Sequence, residues 1–434
     1  MEGTCLPHIK AFVASVPRAV IPLHERSFIC GRLYVDVGNV ARDCAAEDPG
    51  TYIERARERV QQLVDCLAPK DSTFVAVDGA GNLARVVHRR RDLYAAAWRE
   101  RHGLATTGSW HRCIGTPGSA SSDAVDALIS QERWGRASTS REPGDAVEKM
   151  FADMSSSPTS EACVVYAGRL HHDQLLFAIS QEACPNVWLL FPNDGDGVPL
   201  LLDAGAVRAA VTSDFRSASN FVVACSLLGT DFLPPIVGAA SDCALGAIRD
   251  ALADVPDIVR ESTLDVRALG DLLEVLTRRD PMDQQTLSSC GAAAMCHSYV
   301  QGLAFAHAYY VLQSPPSRCA YPFLRGPLAS DVYRHARADA AAMQQRVILT
   351  AKSAPPHATG RLVHLLAVLP PQLSAWVPHD ALRSVMTDLR FGCVDMYPVE
   401  FRVDDRTGAP ILPPLDLDRL EAAVTRVTAP GRTR

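Results

Sequence analysis

The sequence predicts an α/β fold: a parallel sheet with crossover helices in the first part of the chain, and a mainly helical remainder. Two observations carry this. Short apolar runs alternate with amphipathic stretches up to about residue 240, the pattern of strand–helix–strand units whose strands lie parallel. Beyond that point the chain reads as helices broken by proline-rich connections: SPPSRCAYPF, SAPPHAT, LPPQL and LPPLDLD. At 434 residues the chain is long for one domain, so two joined domains are expected, 1–240 and 241–427. The tail 428–434 (TAPGRTR) is expected to be disordered.

Each element follows from local pattern. LYVDV (33–37) is a strand ending in an acid. DPGTYIERARERVQQLVDCL (48–67) is a helix, because Ile53, Val60, Leu63, Val64 and Leu67 fall at helical spacing. FVAV (74–77) is the next strand. The Gly/Ser/Thr-rich segment from about 103 to 145, with isolated Trp110 and Trp134, reads as a loop or mobile element. CVVYAG (163–168) and VWLLF (187–191) are strands, and DQLLFAISQEA between them suits a helix. No internal repeat is evident.

Composition narrows the function classes. The chain is 47% hydrophobic and 21% charged, ordinary for a globular protein. No uncharged apolar stretch reaches the length of a membrane span, so no membrane partner is expected. The opening MEGTCLPHIKAFVASVPRAVIP is interrupted by Lys10, Pro17 and Arg18 and does not read as a signal peptide. Thirteen scattered cysteines without a CxxC pair suit reduced thiols in the cytoplasm or nucleus. A net charge of −6 gives no global pull toward nucleic acid, so any such pull is local.

In open α/β sheets ligands bind at the carboxyl ends of strands. Asp36 and Asp78 sit at two such ends, and Asp231 follows the apolar run NFVVACSLLGTD (220–231). Asp145, Glu148 and Asp173 sit at similar breaks. Carboxylates converging from several segments suit hard divalent cations such as Mg²⁺. A pair of such ions about 4 Å apart can clamp both oxygens of a phosphodiester displacement. The plainer reading is that aspartate is common at turns and helix caps. Within FVAVDGAGNLARVVHRRRD (74–92), a helix places Arg85, His88 and Arg89 on one face. That cationic face can hold phosphate oxygens. Alternatively it is a solvated face, with Asp92 and Glu100 as counter-charges.

Several stretches, in order over nearly the whole chain, resemble the XRN family of 5′-to-3′ exoribonucleases. They are HIKAFVASVP (8–17), LYVDVGNVARDC (33–44), FVAVDGAGNLAR (74–85), CIGTPGS (113–119) and LLGTDFLPP (227–235). SYVQGLAFAHAYY (298–310), YPFLRGPLASD (321–331), LLAVLPP (365–371), DMYPVEFRVDDRTG (395–408) and PPLDLDRL (413–420) continue the series. The resemblance implies a PIN-like nuclease core, a relative of the flap endonucleases, with a mainly helical second conserved region packed on it. It implies a monomeric enzyme of RNA decay that binds single-stranded RNA and uses two Mg²⁺ or Mn²⁺ ions.

Carried over residue by residue, the resemblance makes Asp36, Asp78 and Asp231 metal-binding acids. The family's P-G-E-G-E-H-K is Pro143-Gly144-Asp145-Ala146-Val147-Glu148-Lys149 here, so Asp145 matches the first acid, Val147 takes the second position and Glu148 comes one residue late. In GRLHHDQLL (168–176) Asp173 matches the second aspartate of Y-G-x-D-A-D-L and His171 stands at the first. Imidazole suits Mn²⁺ and Zn²⁺ better than Mg²⁺. A lone histidine is otherwise a structural or surface residue. In the 5′-phosphate pocket Arg85 matches a lysine and Arg89 a glutamine. Asp92-Leu93 replace two arginines, with Arg90 and Arg91 displaced by two residues. Arg42 replaces a base-stacking histidine, and arginine can also stack on bases.

Two alternatives stand beside an active exoribonuclease. One is a degenerate XRN-like protein that binds RNA or a partner without cutting, which Val147 and His171 support. The other is a flap-type DNA nuclease, opposed by the absence of a Gly-hydrophobic-Gly turn in FLPPIVGAASDC after Asp231.

Overall fold

The computed structural model describes residues 5–42, 48–104, 113–193, 197–238, 244–279, 292–351, 360–405 and 407–429. The chain divides into two compact units, one of Cys30–Met150 with His357–Arg434, the other of Glu2–Ile29 with Phe151–Pro356. No helix among the described residues is long and apolar enough to cross a membrane.

In the unit built on Cys30–Met150, strands β2 (Cys30–Asp36), β3 (Ser72–Ala76) and β4 (Arg136–Ser138) run parallel. Asp36 pairs with Ala76, and Ala76 with Ser138, so the strands end on one edge. The connections are helical: α2 (Val37–Arg42), α3 (Pro49–Leu67), α4 (Leu83–Arg101) and α5 (Ala120–Gln131). Asp48 caps α3, accepting the Gly50 and Thr51 N–H groups. Helix α6 (Ala146–Ser156) starts here.

The segment expected to be a loop between 103 and 145 holds α5 and β4 instead. Ser119 caps α5 by accepting the Ser122 N–H, and Val125 and Ile129, four apart, bury one face. The serines that made the stretch look loop-like are helix-start residues. Trp110 lies outside the described residues.

The same unit holds α15 (Arg361–Val368), α16 (Asp380–Thr387) and α17 (Leu417–Thr428). Their apolar faces share a core with α4, through Val86 and Leu93 against Leu365, Val368, Leu382 and Leu420. Burial of this kind is worth about 25 cal/mol per Å², and it holds α4 against the C-terminal helices.

In the other unit β5 (Ala162–Tyr166) and β6 (Val187–Phe191) are parallel, joined by α7 (His172–Ser180). Strand β7 (Leu200–Asp203) is antiparallel to β6, and β1 (Val20–Pro22) is antiparallel to β7. These two strands escape a reading based on parallel repeats. Only the 192–199 segment separates β6 from β7, too short for a crossover but enough for a hairpin-type return. Pro22 is tolerated because β1 lies at the sheet edge.

Helix α1 (Leu6–Ser15) ends ahead of Pro17, and α8 (Ala204–Phe215) and α9 (Ala218–Leu227) follow the strands. The run before Asp231 is thus a helix, buried from Asn220 to Leu227; burial all round removes the 3.6-residue pattern that would reveal it. Helices α10 (Ala244–Leu252), α11 (Val266–Arg279), α12 (Ala292–Tyr310), α13 (Ala329–Ala338) and α14 (Ala340–Ala351) complete the unit, with the short hairpin β8 (Val259–Arg260) and β9 (Thr263–Leu264). The mixed α/β class with mostly parallel core strands holds, as does the mainly helical character after residue 240.

Candidate active site

In the Cys30–Met150 unit the acids gather at the strand ends. Asp36 closes β2 and folds back on α2, its Oδ1 accepting the Gly38 N–H at 2.8 Å and the Asn39 N–H at 3.3 Å. Asp78 follows β3, and its Oδ1 accepts the Ala146 N–H at 3.0 Å. Gly79 lets the chain turn there, because a Cβ at this position would lie 1.8 Å from the Glu142 carbonyl oxygen. Glu148, in the first turn of α6, accepts the Asp145 N–H at 2.7 Å, which also suits the positive end of the helix dipole.

Asp145 pairs with the Arg85 guanidinium. Val147 is buried. Lys149 spans the strand ends, donating to Val77 O at 2.9 Å and Thr139 O at 2.7 Å. Burial holds its amine below the ordinary lysine value, opposed by Asp78, Glu142, Asp145 and Asp126.

The expected phosphate-binding residues lie on α4, which Asn82 caps by accepting the Arg85 N–H. Arg85, His88 and Arg89 are half-buried, and His88 Nε2 is 3.9 Å from Asp92 Oδ2. Arg90 is buried and turned elsewhere. It donates to the carbonyls of Met396 and Pro413, and its guanidinium stacks 5.4 Å from the Tyr94 ring centre. Its guanidinium thus ties α4 to the C-terminal segment. Arg42 ends α2, and its side chain lies outside the described residues. His364, missed by the sequence reading, is buried behind the turn, and its Nδ1 accepts the Gly81 N–H at 3.3 Å. Burial pushes its imidazole down to about 4, aided by Arg89 and opposed by Asp78.

In the other unit the sequence acids meet two imidazoles. His171, His172, Asp173 and Asp231 each offer a ligand atom, and these atoms all lie within 4.8 Å of one another. Among the described residues this is the group of three or more such side chains that can hold a metal ion. Asp36, Asp78, Asp145 and Glu148 do not form one. Ligand distances of about 2.0–2.2 Å place coordinating atoms some 3–4 Å apart, so the His/Asp set fits a divalent ion after small side-chain movements.

Local folding explains the set. His171 is the N-cap of α7, its side chain accepting the Asp173 N–H while Gln174 reaches back to the His171 N–H. Consecutive positions at the helix start then bring His172 and Asp173 inward. Asp231 arrives from the loop after α9, whose Gly229 carbonyl accepts the Cys5 N–H at 3.0 Å.

Tyr310, at the end of α12, donates its hydroxyl to Asp173 Oδ1. Burial first, then Asp173 and Asp231, keep that phenol well above its ordinary value, so it remains a donor. Burial likewise raises the Cys5 thiol, with the same two aspartates adding to the effect. Phe177, Phe232 and Tyr309 pack around Tyr310, with ring centres 4.8–6.1 Å apart. This apolar layer keeps water from competing with the Tyr310–Asp173 bond. His172 and Tyr310 were both missed from sequence. His172 carried a signal, its place in the HHD triplet. Tyr310 closes the SYVQGLAFAHAYY stretch, but its pairing with Asp173, 137 residues away, left no mark in the sequence.

Residues 282–429 match the family model described as the Xrn1 helical domain. Comparison with curated proteins gives no match. Similar solved structures include the catalytic core of Rad2 in complex with DNA substrate (complex II), at TM-score 0.41 and 13% identity, covering 78% of this chain and 98% of that one. The catalytic core of Rad2 (complex I) is similar at TM-score 0.37 and 13% identity, covering 83% of this chain and 98% of that one.

Proposed function

We propose, from the match of residues 282–429 to the family model described as the Xrn1 helical domain, that the chain is a metal-dependent 5′-to-3′ exoribonuclease that degrades single-stranded RNA bearing a 5′-monophosphate. The observation that carries this reading is the His171–His172–Asp173–Asp231 group, which contains two of the acids that the XRN resemblance assigns to metal. A divalent ion held there supplies charge neutralisation at the scissile phosphate and an activated water.

The chain's own residues do the rest. Asp173 and Asp231 hold the ion, and Tyr310 fixes the orientation of Asp173 through its hydroxyl. Asp36 and Asp78 offer carboxylate oxygens at the ends of the parallel strands for a further ion. The α4 face of Arg85, His88 and Arg89 receives the terminal phosphate, since arginine forks match phosphate oxygens. Recognition of a terminal monophosphate there would make the cleavage exonucleolytic.

A second reading, an XRN-like protein that binds RNA without cutting it, is favoured by two observations. Val147 is buried at an expected acid position, and Asp145 is engaged by Arg85. The test is end-dependent decay. RNA with a 5′-monophosphate should be lost in Mg²⁺ or Mn²⁺, while 5′-triphosphate RNA and the matching DNA persist. Binding of the monophosphorylated RNA with no loss in either ion would establish the second reading.

A further inference from the structure

His172 has no role in the sequence reading, yet its side chain is 0% exposed and sits at the centre of the group. Its Nε2 lies 3.3 Å from Asp173 Oδ1 and 3.6 Å from Asp231 Oδ1. The Asp231 N–H also points to that nitrogen, at 3.4 Å. The other nitrogen, Nδ1, is buried with no hydrogen-bond partner among the described residues.

With a lone pair on Nε2, the ion-free ring faces two carboxylate oxygens, lone pair against lone pair. A cation between Nε2 and the two carboxylates turns the facing lone pairs into ligands. The α7 N-terminus opposes a cation, but less than two carboxylates in a buried site attract one.

The donor set also bears on which cation. Mg²⁺ is hard, prefers oxygen and keeps its waters. Two imidazoles with two carboxylates suit a borderline transition ion, and affinity rises from Mn²⁺ to Zn²⁺. We propose that His171, His172, Asp173 and Asp231 form a mixed imidazole–carboxylate site that selects Zn²⁺ and Mn²⁺ over Mg²⁺, with His172 as a direct ligand. The proposal deepens the metal-dependent reading above and rests on it for the use of the ion in cleavage; ion selectivity is a property of binding and is measured without RNA.

The experiment is calorimetric titration of the full chain, stripped with chelator, with Zn²⁺, Mn²⁺ and Mg²⁺ in turn. Zn²⁺ should bind more tightly than Mn²⁺, and both at least about tenfold more tightly than Mg²⁺. His172→Ala should weaken Zn²⁺ and Mn²⁺ at least about tenfold and leave Mg²⁺ within about threefold. In the unsubstituted protein, the pulsed paramagnetic-resonance spectrum of bound Mn²⁺ should show coupling to imidazole nitrogen, a readout that does not depend on the variant folding. Equal affinity for Mg²⁺ and Mn²⁺, or Mn²⁺ without nitrogen coupling, overturns the proposal. RNA cleavage in Mg²⁺ combined with either result sinks the selectivity and leaves the nuclease reading standing. Selective binding without cleavage supports the site and sinks the nuclease reading.

Discussion

At the residue scale, neighbouring arginines on one helix have opposite tasks. Arg90 is spent on two main-chain carbonyls, Met396 and Pro413, whereas Arg85 faces Asp145. Arg90→Gln should therefore lower stability by about 1–3 kcal/mol, read by denaturant unfolding, with 5′-end preference unchanged. Arg85→Gln should cost little stability but reduce the preference for 5′-monophosphate over 5′-triphosphate RNA by at least about tenfold, read by competition binding. Equal effects on end preference from both substitutions would show that α4 does not recognise the phosphate. Sequence charge alone could not separate the two. Both lie in one basic run, and only the partners, more than 300 residues distant for Arg90, tell them apart.

At the element scale, much was legible where a single face is buried. The helix after Asp48 was legible because Ile53, Val60, Leu63, Val64 and Leu67 recur at helical spacing; the structure adds the Asp48 cap. The α9 run before Asp231 was opaque because no polar face marks its period. Helix α5 was hidden by the serines at its start. The turn after β3 is the element on which the Asp78 position depends. Gly79→Ala sets a Cβ against the Glu142 carbonyl, a backbone atom that cannot rotate away. It should destabilise the protein by more than about 2 kcal/mol and lower its melting temperature. A variant with unchanged melting would show that this turn has room to move.

At the scale of the whole molecule, two buried histidines make stability depend on pH. Burial lowers both His307 and His364 from the ordinary 6.5 to about 4. The unfolded chain then binds more protons than the folded one as pH falls below 6.5. The stability conferred by keeping each ring neutral is fully present above about pH 6.5 and is lost as pH falls toward 4, by about 3 kcal/mol for each. His307 hydrogen-bonds Ser219 away from the candidate metal group, so His307→Gln should flatten the loss between pH 6.5 and 4.5 in denaturant unfolding. An unaltered slope would place the acid sensitivity elsewhere. The candidate site was half legible at this scale. Asp173 and Asp231 could be picked out by motif order, but His172 and Tyr310 acquire meaning only when the chain brings α7, α12 and the loop after α9 together.

The proposed function has this protein cut RNA with an ion held by Asp173 and Asp231. The most direct measurement is the time course of a 5′-monophosphorylated, 3′-labelled RNA in Mn²⁺, with the unsubstituted protein beside Asp173→Asn and Asp231→Asn, each checked for native melting. Progressive loss of the RNA, abolished by chelator and slowed at least about a hundredfold by either substitution, is the predicted result. Persistence of the RNA with the unsubstituted protein, or equal decay with all three proteins, would contradict it.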